Sequence, residues 1–130
     1  MPRFAANLSM LFTEWPLVER FAAAAAAGFR AVELQEPYEV SASAVRAELE
    51  RHRLTMLGIN TALGQPGEFG VAAVPGRERE FAGVVRQALE YAAAIRPSGI
   101  TTSDACCVLW PELCDSSQGV DHSAPLSFVA

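Results

Sequence analysis

Residues 16–35, PLVERFAAAAAAGFRAVELQ, decide how this chain folds. Pro16 suits the first turn of a helix, where its missing N–H would find no partner anyway. Leu17, Val18, Phe21 and Ala25 then share one helical face, and Gly28 is a natural residue for the helix to end on. The alanine run Ala22 to Ala27, flanked by Arg20 and by Gly28-Phe29-Arg30, reads as helix interior and not as the apolar core of a leader peptide. Ala31-Val32-Glu33-Leu34-Gln35 follows at once and has strand character.

The same alternation extends on both sides. Upstream, Arg3 to Leu11 (RFAANLSML) is a short apolar run that predicts a first strand. Downstream, Pro37-Tyr38 breaks the second strand, and Ser41 or Ser43 can cap a second helix with Val45, Leu49 and His52 on its inner stripe. Leu54 to Asn60 (LTMLGIN) predicts a third strand, too poor in charge to leave a face in water. After a glycine-rich loop holding Gly64, Gly67 and Gly70, Phe81, Val84, Val85, Ala88, Leu89, Ala92 and Ile95 form a helical stripe, with Glu78 and Glu80 in the first turn. The order β-α-β-α-β-α, with strands uniformly apolar, predicts parallel strands joined by crossovers. It fits either a barrel or an open doubly wound sheet.

Composition narrows the function classes. The chain has 130 residues, 51% hydrophobic and 19% charged, enough for one packed domain. A net charge of −5 without a Lys/Arg stripe makes nucleic acid a poor partner. No apolar run approaches the ~18 residues of a membrane span, so a soluble, cytoplasmic protein is the expectation. Beyond Ile95 the pattern changes. Ile100-Thr101-Thr102 reads as the stub of a fourth strand, and the rest lacks both helical stripe and alternation. The expectation is a partial α/β domain over residues 1–95 and an irregular tail over 96–130, aberrant or frame-shifted. Cys106, Cys107, Cys114 and His122 lack the CxxC spacing of a zinc knuckle and read as incidental.

Four stretches carry a more specific signal: RFAANLSMLF (3–12), AAGFRAVELQEPYEV (26–40), LGINT (57–61) and GEFGVAAVPGREREF (67–81). Together and in this order they resemble the hydroxypyruvate isomerase family, within the xylose-isomerase-like TIM barrels. The resemblance implies a (β/α)₈ barrel, of which residues 3–95 would supply the N-terminal part, about three βα units, with the stub at 100–102 as a candidate fourth strand. It also implies interconversion of hydroxypyruvate and tartronate semialdehyde (2-hydroxy-3-oxopropanoate), in glyoxylate metabolism. That reaction takes a proton from carbon beside a carbonyl, which a base and an electrophile must support. In the intact family barrel two carboxylates and a divalent cation such as Mg or Mn serve those needs. A whole barrel takes ~250 residues, so the expectation is a truncated, inactive chain without catalytic residues or cofactor of its own.

The residues implied to line a substrate site are Asn7, Glu33, Tyr38, Asn60 and Glu68. Asn7 could donate an amide to a substrate oxygen or bridge neighbouring strands. Glu33 faces the site only if the strand register turns it inward. Tyr38 could line the mouth or pack, and Asn60 ends the third strand. Glu68 lies in a lid-like loop, where Gly67-Glu68-Phe69-Gly70 departs from the family's frequent GERG. Arg77 is the nearest alternative cation, with pairing to Glu78 or Glu80 as its plainer role. The partner implied is a small hydroxy-oxo acid. The alternatives are a sugar isomerase or epimerase relative with another substrate, and a non-catalytic part-barrel that joins a second half or copy of itself through open strand edges.

Overall fold

The structure, a computed structural model, describes residues 3–102. The cysteines, His122 and most of the expected tail lie outside those residues. Seven elements alternate: β1 (Ala5–Asn7), α1 (Leu17–Ala26), β2 (Ala31–Leu34), α2 (Ala42–His52), β3 (Thr55–Asn60), α3 (Glu78–Ile95) and β4 (Gly99–Thr101). The strands form one sheet in the order β1-β2-β3-β4, every pair parallel. Strand order that follows chain order has no switch point, which sets this sheet apart from a doubly wound one. It is the arrangement of consecutive units of a TIM barrel.

The helices lie together on one side. Phe21 and Ala24 of α1, Val45 and Leu49 of α2 and Ile95 of α3 form a single buried cluster with Ala6, Val32, Leu34, Met56 and Ile59 of the strands. In β2 the residues alternate, Val32 and Leu34 buried against the helices and Ala31 and Glu33 on the other face. β3 keeps this alternation through an irregularity. Val32 pairs with Met56 but Glu33 with Gly58, so Leu57 is an extra residue that leaves both Met56 and Ile59 on the helix side.

Local chemistry explains the element ends. Ser41 caps α2, its hydroxyl accepting from the Ala44 N–H at 3.3 Å. Gly28 follows α1 at φ +92°, a conformation that costs a side-chain-bearing residue strain. Pro16 is the cap residue before α1 and not its first helical residue. β1 is shorter than the apolar run Arg3–Leu11 suggests, because the chain turns after Asn7, whose carbonyl accepts from the N–H groups of Met10 and Leu11. β4 begins at Gly99, one residue before the expected stub, and pairs with β3.

Two stripe positions differ from expectation. In α2 the buried positions are Val45, Glu48 and Leu49; His52 sits at the edge, its Nε2 3.2 Å from Glu48 Oε2. In α3 Leu89 remains 56% exposed, because the stripe is wider than α2 and β3 cover. Among the described residues no helix is long and apolar enough to cross a membrane.

Candidate functional site

In parallel α/β folds the loops beyond the C-terminal ends of the strands build the site. Here those ends carry Asn7, Glu33, Asn60 and Thr101, which the register sets in two neighbouring rows. Asn7 is level with Glu33, and Glu33 with Gly58. One step further, the Asn60 N–H donates to the Gln35 carbonyl and Asn60 is level with Thr101. All four side chains belong to the face away from the helices, since their strand neighbours Ala6, Val32, Ile59 and Ile100 pack into or against the helical core. The register question for Glu33 is thereby answered: it lies on the inner face. Its carboxylate forms no hydrogen bond or ion pair with another described residue.

The two asparagines are oriented by their neighbours. Asn7 Oδ1 accepts from the Ser9 N–H at 3.0 Å. Asn60 Oδ1 accepts from the Thr101 hydroxyl at 2.5 Å. With each amide oxygen already accepting one hydrogen bond, the NH₂ donors of both side chains remain to be offered. The inner face at this end thus holds two amide donors and one carboxylate acceptor.

Behind this face the loops are tied together. Ser9 Oγ accepts from the Gln35 N–H at 2.8 Å, joining the turn after β1 to the end of β2. Arg20 of α1 donates to the carbonyls of Leu8 and Trp15, both at 2.8 Å, and so holds the β1–α1 connection. Glu36 Oε1 accepts from the Leu63 N–H at 2.8 Å, joining the loops after β2 and β3.

Tyr38 lies in this layer. Its hydroxyl donates to the Asn60 carbonyl, and its ring meets Tyr91 of α3 edge-on, centroids 5.4 Å apart at 78°. The Tyr91 hydroxyl reaches the carbonyls of Pro37 at 3.0 Å and Val40 at 2.9 Å. Burial pushes both phenols up to about 12, with the Glu36 charge adding to the rise for Tyr38 and Tyr38 adding to it for Tyr91. Tyr38 is thus a brace whose polar atom is spent on backbone.

The structure sets Glu68 apart from the strand-end group. It sits in the loop before α3, where Arg77 NH1 and NH2 grip its two oxygens at 2.5 and 2.9 Å. The other fork of Arg77, Nε and NH2, holds Glu80 at 2.7 and 2.6 Å. The Arg77 hydrogen bonds, then that from the Gln65 N–H, hold the Glu68 carboxyl below its usual range, while the two carboxylates raise Arg77. The plainer role foreseen for Arg77 is met by Glu80, with Glu68 added. Phe69, beside it, is 56% exposed.

Ser9, Arg20, Tyr91 and Thr101 were not singled out from sequence. Only Tyr91 left a signal there, as a phenol inside an amphipathic helix whose hydroxyl must find a partner when packed. A polar recess of about 180 Å³ between Ser9, Arg20, Gln35 and Glu36 adjoins the strand ends. A cavity of about 630 Å³ opens instead at the opposite end, among Phe4, Ala5, Phe29, Ala31, Thr55 and Leu57, and includes none of the candidate residues.

Comparison with known proteins finds relatives over most of the described residues. No family model matches the chain. It is 55% identical over 97 residues to a 2-oxo-tetronate isomerase of Cupriavidus necator, covering 73% of this chain and 37% of that protein. It is 42% identical over 97 residues to the hydroxypyruvate isomerase of Escherichia coli K12, covering 73% of this chain and 38% of that one. Over these residues the chain is similar to the N-terminal portion of proteins named hydroxypyruvate isomerase and 2-oxo-tetronate isomerase. A solved structure titled AP endonuclease, family 2, from Brucella melitensis superposes with a TM-score of 0.74 at 47% identity, covering 77% of this chain and 40% of that one. The chain spans under two fifths of the length of these curated family relatives.

A divalent cation belongs to the expectation for the intact barrel. Among the described residues no group of three His, Cys, Asp or Glu could hold one. Glu33 by itself does not make a metal site.

Proposed function

We propose that this chain carries the substrate-orienting wall of an isomerase for small hydroxy-oxo acids, of the hydroxypyruvate or 2-oxo-tetronate type. The carrying observation is that Asn7 and Asn60 both have their amide oxygens engaged, so both present donors beside a single carboxylate, Glu33. A small hydroxy-oxo acid complements this set. Its carbonyl and hydroxyl oxygens accept from the two amides, and a hydroxyl hydrogen goes to Glu33. Donors held in place favour the enediolate of an aldose–ketose type isomerisation over the ketone, because negative charge grows on the oxygens they face. The net charge of −5, without a Lys/Arg stripe, speaks against a nucleic-acid substrate.

The base that moves the proton is proposed to be supplied neither by the described residues nor by residues 103–130, so the full chain by itself binds but does not turn over hydroxypyruvate, with or without Mg²⁺ or Mn²⁺. Steady isomerisation by this chain would refute that part. The site itself is tested with D-glycerate, a non-reacting acid, by calorimetric titration of the full chain and of Asn60→Asp. The new carboxylate still accepts from Thr101, so the fold is kept, but the amide donors are replaced by a negative charge. Affinity is expected to fall about ten- to hundredfold, the cost of a lost bond to a charged or polar partner. Unchanged affinity in Asn60→Asp would remove Asn60 from the site.

A second reading, self-association, is favoured by the open face at the other end of the sheet, where Phe4 is 73% and Leu57 36% exposed. Light scattering tests it: association through this face is lost in Phe4→Ser, whereas a monodisperse monomer rules it out.

A further inference from the structure

We infer that Arg77 is a carboxylate-binding residue and that Glu68 is its built-in stand-in, displaced when an acid binds; this rests on reading the site as one for small acids. The guanidinium has two forks and both are filled. Nε and NH2 hold Glu80, and NH1 and NH2 hold Glu68. The two partners are differently anchored. Glu80 belongs to α3, one turn from Arg77, so it keeps the guanidinium aimed whatever the loop does. Glu68 belongs to a loop whose glycines 64, 67 and 70 all have positive φ, and its other hydrogen bond is to the Gln65 N–H, within the same loop.

Two carboxylates on one cation leave an excess negative charge, and the loop-borne one is the partner that can leave. The NH1/NH2 fork it vacates has the planar, two-donor geometry that a ligand carboxylate takes. The residue is reachable, with 26% of its side chain exposed. It precedes α3, and in this parallel fold that is the strand end where Asn7 and Asn60 lie. Phe69, exposed beside Glu68, moves with the loop and lies next to the entering acid. Arg77 thus supplies, at the same end of the fold as the inner-face amides, a cation for the acid end of a small ligand.

The probe is D-glycerate, with dihydroxyacetone as the analogue lacking a carboxylate, titrated into the full chain. Glu68→Gln weakens the internal competitor. Because an exposed ion pair is worth little, the expected gain in D-glycerate affinity is about two- to fivefold. Adding Arg77→Gln to that variant abolishes the gain, and dihydroxyacetone affinity changes in neither. A gain that persists without Arg77, or no gain at all, overturns the inference. In the unaltered chain, nitrogen-15 spectra of Arg77 give a test free of any folding defect. D-glycerate shifts the Nη signals and leaves Nε, held by Glu80, in place; an unmoved Nη overturns the inference equally. Asn60→Asp in the Glu68→Gln background separates the two readings. Loss of D-glycerate binding there with no Arg77 dependence rejects the stand-in and keeps the strand-end site; an Arg77-dependent gain indifferent to Asn60 does the reverse.

Discussion

Replacing Gly64 with alanine tests the loop geometry most directly, because the structure supplies its own control. Gly64 has φ +106°, and a Cβ there would lie 2.3 Å from Glu68 Oε2 and 2.9 Å from Val71 Cγ1. Gly67 has a similar φ, +91°, with nothing within 4 Å of its Cβ position. Gly67→Ala therefore carries backbone strain alone, roughly 1–3 kcal/mol. Gly64→Ala carries the same strain and a collision. Val71, 1% exposed, has nowhere to swing. Glu68 can move, but only by giving up the Gln65 N–H and its fork on Arg77. Crowding of this kind adds about 1–3 kcal/mol. A loop can detach before the domain unfolds, so a urea midpoint registers only part of this cost. The sharper assay is hydrogen exchange at the Gly70 N–H, which donates to the Leu63 carbonyl at 2.9 Å. Protection there should fall in Gly67→Ala and fall further, by tenfold or more for each ~1.4 kcal/mol, in Gly64→Ala. Equal protection in the two variants would refute the contact between Gly64 and Glu68 and, with it, the latched loop.

Three further outcomes follow from the same contacts. Both phenols have folded values near 12 against an ordinary value of 10.0, so the unfolded chain loses its phenol protons first; stability is full below pH 10 and falls as pH rises towards 12, read as a declining urea midpoint that Tyr38→Phe with Tyr91→Phe makes shallower. Glu68 is shifted the other way: its contribution to the loop is present above the ordinary carboxylate range and lost as pH falls through its lowered value, which a carbon-13 titration of its carboxyl will register and Arg77→Gln will move back up. Ser41→Ala removes the only side-chain cap of α2 and should cost about 0.5–2 kcal/mol in urea unfolding.

The fold was legible in the sequence because each element reports on itself. The stripe from Phe81 to Ile95 and the helix-to-strand junction at Gly28 are local patterns, and the structure repeats both. What one sequence left open was relational. Barrel and doubly wound sheet share the same alternation, and only the order β1-β2-β3-β4 separates them. Whether Glu33 faced inward depended on pairing, and β3 even inserts Leu57 to keep its own buried residues in phase. The candidate residues divided for the same reason. Asn7, Glu33 and Asn60 lie in strands, so strand alternation carries them to one face. Tyr38 and Glu68 lie in loops, where no period fixes direction, and their polar atoms went to Asn60 and Arg77.

The brace behind the strand ends shows why the missed residues matter to the ones that were found. Asn60 is held at three points: its N–H by Gln35, its carbonyl by Tyr38 and its side-chain oxygen by Thr101. Tyr38 in turn is packed edge-on by Tyr91, whose hydroxyl fixes the Pro37–Val40 turn that carries Tyr38. The outer helix α3 therefore braces, through two phenols, the backbone of the residue whose amide lies on the inner face. An asparagine free to flip would offer oxygen as readily as nitrogen. With the Thr101 hydroxyl donating to its oxygen, it offers nitrogen, and on the function proposed above that polarity suits an oxygen-rich acid.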